Sequence, residues 1–198
     1  MAGNRIKKIN ELNSTKFLGL FELEYKNKNG EDRTWMVSSR KSKKELEDIY
    51  FNGKSDKVDA VVIAAFHEEE EKLVLIKEFR VPVDDYIYSL PAGLVDPGED
   101  PFVSVKRELK EETGLELTNI DMDESCEKVY LSPGMTDESC AFIYCDCKGE
   151  ISREFLEDDE DIETILVSRE EAENLIKENK KLDIKAYLVM KKFIESGK

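Results

Sequence analysis

The chain has 198 residues, which suffices for one medium-sized domain, or one domain and a small appendage, with an adequate hydrophobic core. Its 45 acidic and 30 basic residues give a net charge of −15, which argues against nucleic acids and anionic membranes as partners. Apolar residues make up 40% of the chain without any run long enough to span a membrane, so we expect a folded, cytoplasmic protein.

The N-terminal part of the chain predicts a small antiparallel β unit. Residues 16–26 and 33–39 have strand-like composition, and the turn-rich segment between them contains Asn29-Gly30. A charged run that includes Gly53 follows, and it indicates a boundary near residue 55. We therefore predict an N-terminal β unit over residues 1–55 and a main domain over residues 56–198.

The main domain mixes strands and helices without regular alternation. Strands are predicted at 58–66, 72–79, 86–90, 127–131, 140–146 and 162–167. Helices are predicted from Asp100 to Gly114, from Ser168 onward, and over about 183–195. This order favours an α+β fold, with a mixed sheet in an α/β/α sandwich, over a doubly wound parallel sheet.

The four cysteines are expected to be reduced and partly buried. Cys126, Cys140, Cys145 and Cys147 show no CxxC spacing, and a chain of this size needs no disulfide framework. Cys145 and Cys147 would point to the same side of a strand, so a zinc site stays open as an alternative. It is the less favoured one, because two further ligands are lacking.

The helix that begins at Asp100 carries three carboxylates within one turn. Its buried stripe has the spacing i, i+3 and i+7 and comprises Phe102, Val105 and Leu109. On the adjoining face, Glu108, Glu111 and Glu112 converge, and like charges so close repel unless they share a cation. Oxygen ligands select a hard ion such as Mg²⁺, and Arg107 is placed to orient Glu111 by a charge-assisted hydrogen bond.

An acidic helix face alone is more often solvated than functional, so the surrounding residues decide between the two interpretations. Gly93 and Glu99 precede the helix, and the segment reads G-x5-E-x7-R-E-L-x-E-E-x-G-L up to Leu115. The chance of this pattern in such a composition is roughly one in a million. Residues 93–115 resemble the Nudix box, the motif that builds the pyrophosphate-cleaving site of the Nudix hydrolases.

Three further matches resemble the ADP-ribose pyrophosphatase branch of that family. The first is Glu78-Phe79-Arg80 followed by Leu90-Pro91-Ala92-Gly93, which implies that Arg80 contacts phosphate and that the Ala92 carbonyl binds metal. The second is the loop Ser132–Glu138, which implies a catalytic or metal-binding role for Glu138. The third is the pair Trp35 and Arg40, which resembles the aromatic and cation that hold the adenine and neighbouring groups.

Each of these matches has a structural alternative. Trp35 is of a type that packs in cores and interfaces, Arg80 could form a surface ion pair, and Ser132–Glu138 could be a polar turn. One position departs from the resembled branch: Ser89 stands where a glutamate is usual, two residues before Pro91. A hydroxyl supplies no anionic oxygen, so the number of metal ions or the choice of substrate is expected to differ.

The resemblance implies Mg²⁺-dependent hydrolysis of a nucleoside diphosphate derivative, with ADP-ribose giving AMP and ribose 5-phosphate and with Mn²⁺ as an alternative ion. It implies that Glu108, Glu111, Glu112 and Ala92 hold metal, while Glu138, Glu111 and Arg107 serve catalysis. Alternatives are a pyrophosphatase for another nucleotide sugar, dinucleotide or modified nucleotide, or a non-hydrolytic sensing module. It further implies a homodimer in which the N-terminal unit reaches the partner's site.

Overall fold

The computed structural model describes residues 5–156 and 160–195, and the chain divides into two compact units. The first unit contains the chain up to Asp59 together with Lys128–Cys140. The second contains Ala60–Glu127 and the chain from Ala141 onward. In the described parts of the sequence, no helix is long and apolar enough to cross a membrane.

The first unit is built on an antiparallel sheet of three strands, in the order β1 (Ile6–Ser14), β2 (Gly19–Lys26) and β3 (Asp32–Ser39). The turn between β2 and β3 contains Gly30 with a φ of 81°, as the Asn29-Gly30 pair predicts. Helix α1 (Lys43–Asn52) follows β3. The core of this unit consists of Ile9, Phe21, Leu23, Val37 and Leu46.

Helix α1 and strand β1 were not predicted from the sequence. The run assigned to a charged boundary is helical because Ser42 and Glu45 form a capping box at its start. Gly53 ends it with a left-handed φ of 73°. Strand β1 buries Ile9 alone and forms through its pairing with β2, which its own side-chain pattern does not reveal.

The second unit contains a larger sheet and three helices among its described residues. Its sheet has the order β10-β5-β4-β9-β8, with β6 added beside β5 and β7 beside β4. The strands are β4 (Ala60–His67), β5 (Lys72–Arg80), β6 (Asp85–Ser89), β7 (Ala92–Leu94), β8 (Glu116–Tyr130), β9 (Ser139–Lys148) and β10 (Ile162–Val167). The helices are α2 (Pro101–Thr113), α3 (Arg169–Lys177) and α4 (Ile184–Glu195).

The larger sheet is mixed. Strand β5 is antiparallel to β4, β6 and β10. Strand β9 runs parallel to β4, because Asp59 N–H donates to the Ser139 carbonyl before β4 and Glu68 N–H donates to the Cys147 carbonyl after it. The mixed sheet and the separate antiparallel sheet confirm the predicted fold class. Predicted strand 127–131 is in fact the end of the much longer β8.

Helix α2 packs on β4 and β7, and this packing places its polar face. Asp100 caps it by accepting a hydrogen bond of 2.9 Å from Phe102 N–H, and Pro101 occupies its first turn. Gly114, with a φ of 77°, ends it. Both predicted ends of this helix are confirmed. Val105 and Leu109 are fully buried as the stripe predicts, whereas Phe102 is only partly buried.

Candidate active site

The three carboxylates of α2 differ in burial. Glu108 and Glu112 are 8% and 5% exposed, whereas the side chain of Glu111 is 42% exposed. The difference follows from helical phase, since Glu108 and Glu112 adjoin the buried stripe, whereas Glu111 is turned away from it, by about 60° from Glu108 and about 100° from Glu112. Two carboxylates of the acidic motif are therefore taken out of water on the same side of one helix.

Arg107 contacts three glutamates of the motif. Its guanidinium donates to Glu108 Oε1 at 2.7 Å, to Glu111 Oε2 at 3.1 Å and to Glu99 Oε2 at 2.9 Å. It also donates to the Leu94 carbonyl at 3.0 Å. Glu99 lies 8 residues before Arg107, so this one side chain joins the loop that precedes α2 to the acidic face of the helix. The contact with Glu111 is the one the sequence predicts.

Strand β7 lies directly against the buried carboxylates. Ala92 N–H donates to Glu112 Oε2 at 3.0 Å. A Cβ atom at Gly93 would lie only 1.9 Å from Glu108 Cδ, so no side chain fits between this strand and the helix. Pairing of β7 with β4 through Val61 and Val62 holds the two residues in place. The glycine of the motif therefore permits the close approach of backbone and carboxylate.

The buried carboxylates have perturbed proton affinities. Burial raises the pKa of Glu112 well above 4.5; the hydrogen bond from Ala92 opposes this shift, while Glu108 and Glu78 add to it. Burial also raises the pKa of Glu108, against the lowering effect of Arg107. By contrast, hydrogen bonds from Arg107 and Ser104 lower the pKa of Glu99 to about 2. The glutamates of the motif therefore differ in pKa, and ionisation is least favourable at Glu112.

The donor types at this site fit a hard divalent cation. Among residues 5–156 and 160–195, no three His, Cys, Asp or Glu side chains are arranged to hold a metal ion, and Arg107 is the cation beside Glu108 and Glu111. Glu112 nevertheless combines burial with a raised pKa, which is the condition that a shared cation relieves. Carboxylate and carbonyl oxygens are the ligands that Mg²⁺ prefers.

Arg80 lies at the end of β5 with 45% of its side chain exposed, and it pairs with Glu78 at 2.7 Å. Glu78, to which the sequence pattern assigns no role, contributes to the raised pKa of Glu112, as does Glu160. The sequence signal for Glu78 is its place two residues before Arg80. Ser89 is 4% exposed, and its hydroxyl has no hydrogen-bond partner within the described residues.

The first unit brings together Arg40 and Glu138. Arg40 Nε donates to Glu138 Oε1 at 2.6 Å, and the two side chains are 38% and 22% exposed. The loop that carries Glu138 is closed by hydrogen bonds from Met135 and Thr136 N–H to the Ser132 carbonyl, at 2.9 and 3.0 Å. Arg40 and Glu138 are 98 residues apart in the chain, so the sequence alone does not indicate that they are in contact.

Trp35 lies in β3 opposite Leu23 of β2 and is 52% exposed. A tryptophan of the hydrophobic core would be covered by neighbouring side chains, and this one is not. Its exposed ring is available to a ligand or to a partner surface. Trp35, Arg40 and Glu138 belong to the first unit, whereas Arg80, Ala92 and the glutamates of α2 belong to the second.

Comparison with known proteins identifies the family. The family model of the NUDIX domain matches residues 56–189. This chain belongs to the Nudix family. It is 31% identical over 172 residues to an ADP-ribose pyrophosphatase of Bacillus subtilis, a match that covers 77% of this chain and 88% of the relative.

Two further relatives show the same Nudix similarity. An ADP-ribose pyrophosphatase of Saccharomyces cerevisiae is 30% identical over 136 residues, which are 68% of this chain and 54% of the relative. A protein of Bacillus methanolicus named methanol dehydrogenase activator is 32% identical over 165 residues, with 78% and 86% coverage. This chain therefore spans about half of the yeast relative and most of the two bacterial ones.

These matches confirm the resemblance that residues 93–115 predicted. The protein is a Nudix hydrolase close to the ADP-ribose pyrophosphatases. The Nudix box accounts for the unusual features around α2. A glycine in β7 allows close approach of the helix, the carboxylates near the end of the helix are buried, and an arginine contacts them. The roles given above to individual residues stay predictions.

Proposed function

We propose that this Nudix hydrolase cleaves the pyrophosphate bond of a nucleoside diphosphate derivative, with ADP-ribose as substrate and AMP and ribose 5-phosphate as products. The observation that carries the proposal is the complete Nudix box, whose buried Glu108 and Glu112 lie against Ala92 and Gly93. Similarity to two ADP-ribose pyrophosphatases supports the substrate. We further propose that the reaction takes place in the cytoplasm, as the sequence predicts.

In this proposal Glu108, Glu112, Glu111 and the Ala92 carbonyl hold Mg²⁺. Bound Mg²⁺ would offset negative charge on the phosphate oxygens and acidify the attacking water. Glu108 would exchange its contact with Arg107 for the metal, and Arg107 would keep its hydrogen bonds to Glu99 and the Leu94 carbonyl. Arg107 thereby stays anchored beside the site, where it orients Glu111.

The remaining residues of the proposed mechanism handle the proton and the phosphates. Glu138 accepts a proton from the water that attacks phosphorus, and the P–O bond to the leaving phosphate breaks. Arg80 turns from Glu78 to a substrate phosphate, for which its planar guanidinium is suited. Trp35 stacks on the adenine, and Arg40 contacts groups next to it. An acidic protein can then bind an anion, because metal and arginines reverse the local charge.

We also propose that the chain acts as a homodimer through its first unit. Among residues 5–39 of that unit, six large apolar side chains are at least 41% exposed, namely Leu12, Phe17, Leu18, Leu20, Trp35 and Met36. Exposed apolar groups in such number favour a protein interface. In this arrangement Trp35 and Arg40 of one chain serve the box glutamates of the other.

Mixed dimers test the shared site. Refolding an Arg40→Ala chain together with a Glu112→Gln chain puts both changes into one site of each mixed dimer and leaves the second site intact. At a substrate concentration far below the raised KM of Arg40→Ala, where both parents are nearly inactive, random pairing then predicts roughly a quarter of wild-type activity. Mixed dimers that are confirmed by mass but show no activity above the parents would place each arginine in its own chain's site.

The substrate is tested by measuring kcat/KM with Mg²⁺ for ADP-ribose, another ADP-sugar, GDP-mannose, a dinucleotide and a modified nucleoside triphosphate. We expect ADP-ribose to exceed the others by about tenfold or more, since discrimination by pocket contacts is of this order. A higher value for another member reassigns the substrate within the pyrophosphatases. Binding of these compounds without turnover of any would favour the sensing module and contradict the proposed activity.

A further inference from the structure

Lys41 is a partly buried lysine of the first unit with three carboxylates around its ammonium group. Its side chain is 11% exposed. Nζ lies 2.8 Å from Asp59 Oδ1, 3.3 Å from Asp137 Oδ2 and 3.5 Å from Asp56 Oδ1. Lys128, a second cation nearby, contacts Asp56 at 2.6 Å, and its side chain is 28% exposed. We call Lys41 and its three carboxylates the Lys41 cluster.

The Lys41 cluster holds both neighbours of Glu138. Asp137, which precedes Glu138, pairs with Lys41 through its side chain. Ser139, which follows Glu138, donates its backbone N–H to Asp59 Oδ2 at 2.9 Å. Asp59 accepts from Lys41 as well, at 2.8 Å through Oδ1 and 3.1 Å through Oδ2. The backbone on either side of Glu138 is therefore tied, directly or through one carboxylate, to a single ammonium group.

The end of β3 reinforces the same loop. Ser38 N–H donates to the Met135 carbonyl at 2.9 Å, and Arg40 donates to the carboxylate of Glu138 itself. Three of the four residues from Ser38 to Lys41 thus contact the loop that carries Glu138. Ser38 does so through its backbone and its hydroxyl, and Arg40 and Lys41 do so through their side chains. Such convergence restricts the position and the orientation of one carboxylate.

Stability alone is a weak reason for this arrangement. Burial disfavours the charged form of Lys41, but the hydrogen bond to Asp59 and the charges of Asp137 and Asp56 outweigh it and hold the pKa above its ordinary value. Buried ion pairs often stabilise a fold no better than apolar side chains of similar volume. Apolar side chains would lack the fixed geometry of these ion pairs. Here that geometry constrains the two residues that flank Glu138.

We propose that Lys41 is a positioning residue for hydrolysis: through Asp137 and Asp59 it fixes the backbone around Glu138, so that this carboxylate meets the attacking water in one orientation. The inference rests on the proposed function, in which Glu138 accepts the proton. Lys41 contacts neither substrate nor water in this role. Its loss is therefore expected to act on kcat, whereas binding of the substrate depends on other side chains.

The test compares Lys41→Met with Lys128→Met in the full-length protein. We expect Lys41→Met to lower kcat about 10- to 100-fold with little change in KM, because small misplacement of a reacting group has costs of that order. Lys41→Arg should restore most of the loss. Lys128→Met removes the cation that contacts Asp56 and leaves the contacts of Lys41 with Asp137 and Asp59 in place, so its kcat should stay within about threefold of wild type.

Two measurements keep the test decisive if Lys41→Met folds poorly or if the substrate assignment fails. Asp137→Asn removes the negative charge that pairs with Lys41 and so weakens the link to the loop with almost no change of volume, and kcat should fall in the same direction. Hydrogen exchange at the Ser139 amide should accelerate in Lys41→Met and Asp137→Asn but not in Lys128→Met, whether or not any substrate is turned over. Inactive wild-type protein refutes the proposed function alone. Unchanged kcat and exchange in folded Asp137→Asn, or equal losses in Lys128→Met, overturn the role of Lys41.

Discussion

Glu112→Gln is expected to lower kcat by about a thousandfold or more while the fold is retained, because it removes a charged metal ligand with almost no change of volume. The amide oxygen can still accept the hydrogen bond from Ala92 N–H, so the contact between α2 and β7 persists. Steady-state kinetics at saturating Mg²⁺ measures the loss. Glu116→Gln is the matched control, since Glu116 is 64% exposed and pairs only loosely with Lys110 at 3.7 Å.

The same substitution is expected to stabilise the metal-free protein at neutral pH. Burial raises the pKa of Glu112 in the folded state. Its contribution to stability is thus fully present below the unfolded value of 4.5 and is lost as the pH rises through the folded-state value. Glutamine carries no charge and removes this loss, so the Tm of the metal-free variant should exceed that of wild type at pH 7 to 8.

Activity of Glu112→Gln within about threefold of wild type would contradict the assignment of Glu112 as a metal ligand.

Glu138→Gln is expected to lower kcat by about a hundred- to ten-thousandfold with a smaller change in KM, as the loss of a general base does. Full kinetic curves for the variant and wild type, on the same substrate and at the same Mg²⁺ concentration, measure both constants. The substitution also weakens the ion pair with Arg40, whose side chain is 38% exposed. An exposed pair of this kind contributes little to stability, so the variant should fold normally.

Arg40→Ala separates the two effects of that substitution. It removes the same ion pair and leaves the carboxylate of Glu138 in place, so we expect it mainly to raise KM. If Glu138→Gln instead raises KM and leaves kcat near wild type, the loop Ser132–Glu138 is a substrate clamp and the base lies elsewhere. The comparison therefore decides between the catalytic role of Glu138 and a binding role.

Helix α2 was predictable to the residue because its signals are local. Asp100, Pro101 and Gly114 mark its ends, and a regular spacing of apolar residues marks its buried face. Helix α1 carries an equally local signal, the capping box of Ser42 and Glu45, but its run of charged residues concealed it. The signal for this helix is therefore present in the sequence. The helix buries only Leu46, however, so no apolar face supports that signal.

Strands β1, β7 and most of β8 depend on partners distant in sequence. Strand β7 has three residues and exists by pairing with β4, about thirty residues away. Strand β8 is 15 residues long with most side chains exposed, so its sequence shows little of the alternation that marks a half-buried strand. Such strands form when a neighbouring edge supplies hydrogen bonds, and no pattern within the segment itself records that edge.

The same distinction between local signals and distant partners applies to the residues of the candidate active site. The box predicted which glutamates converge, since helical spacing alone brings Glu108, Glu111 and Glu112 together. It could not predict that Arg107 would contact three of the box glutamates, or that Arg40 would meet Glu138 across 98 residues. Nor could it reveal Lys41, because a single lysine in a lysine-rich segment is distinguished only by its burial among three carboxylates.

The central claim is that the Nudix box of this chain performs metal-dependent cleavage of ADP-ribose. The most direct measurement incubates the purified, chelator-treated protein with ADP-ribose, adds Mg²⁺ in steps, and quantifies AMP and ribose 5-phosphate. We predict that the two products appear in equal amounts, that their rate of formation rises with Mg²⁺ to a plateau, and that Glu112→Gln abolishes this dependence. Equal product formation with and without Mg²⁺, or no products at any Mg²⁺ concentration, would contradict the claim.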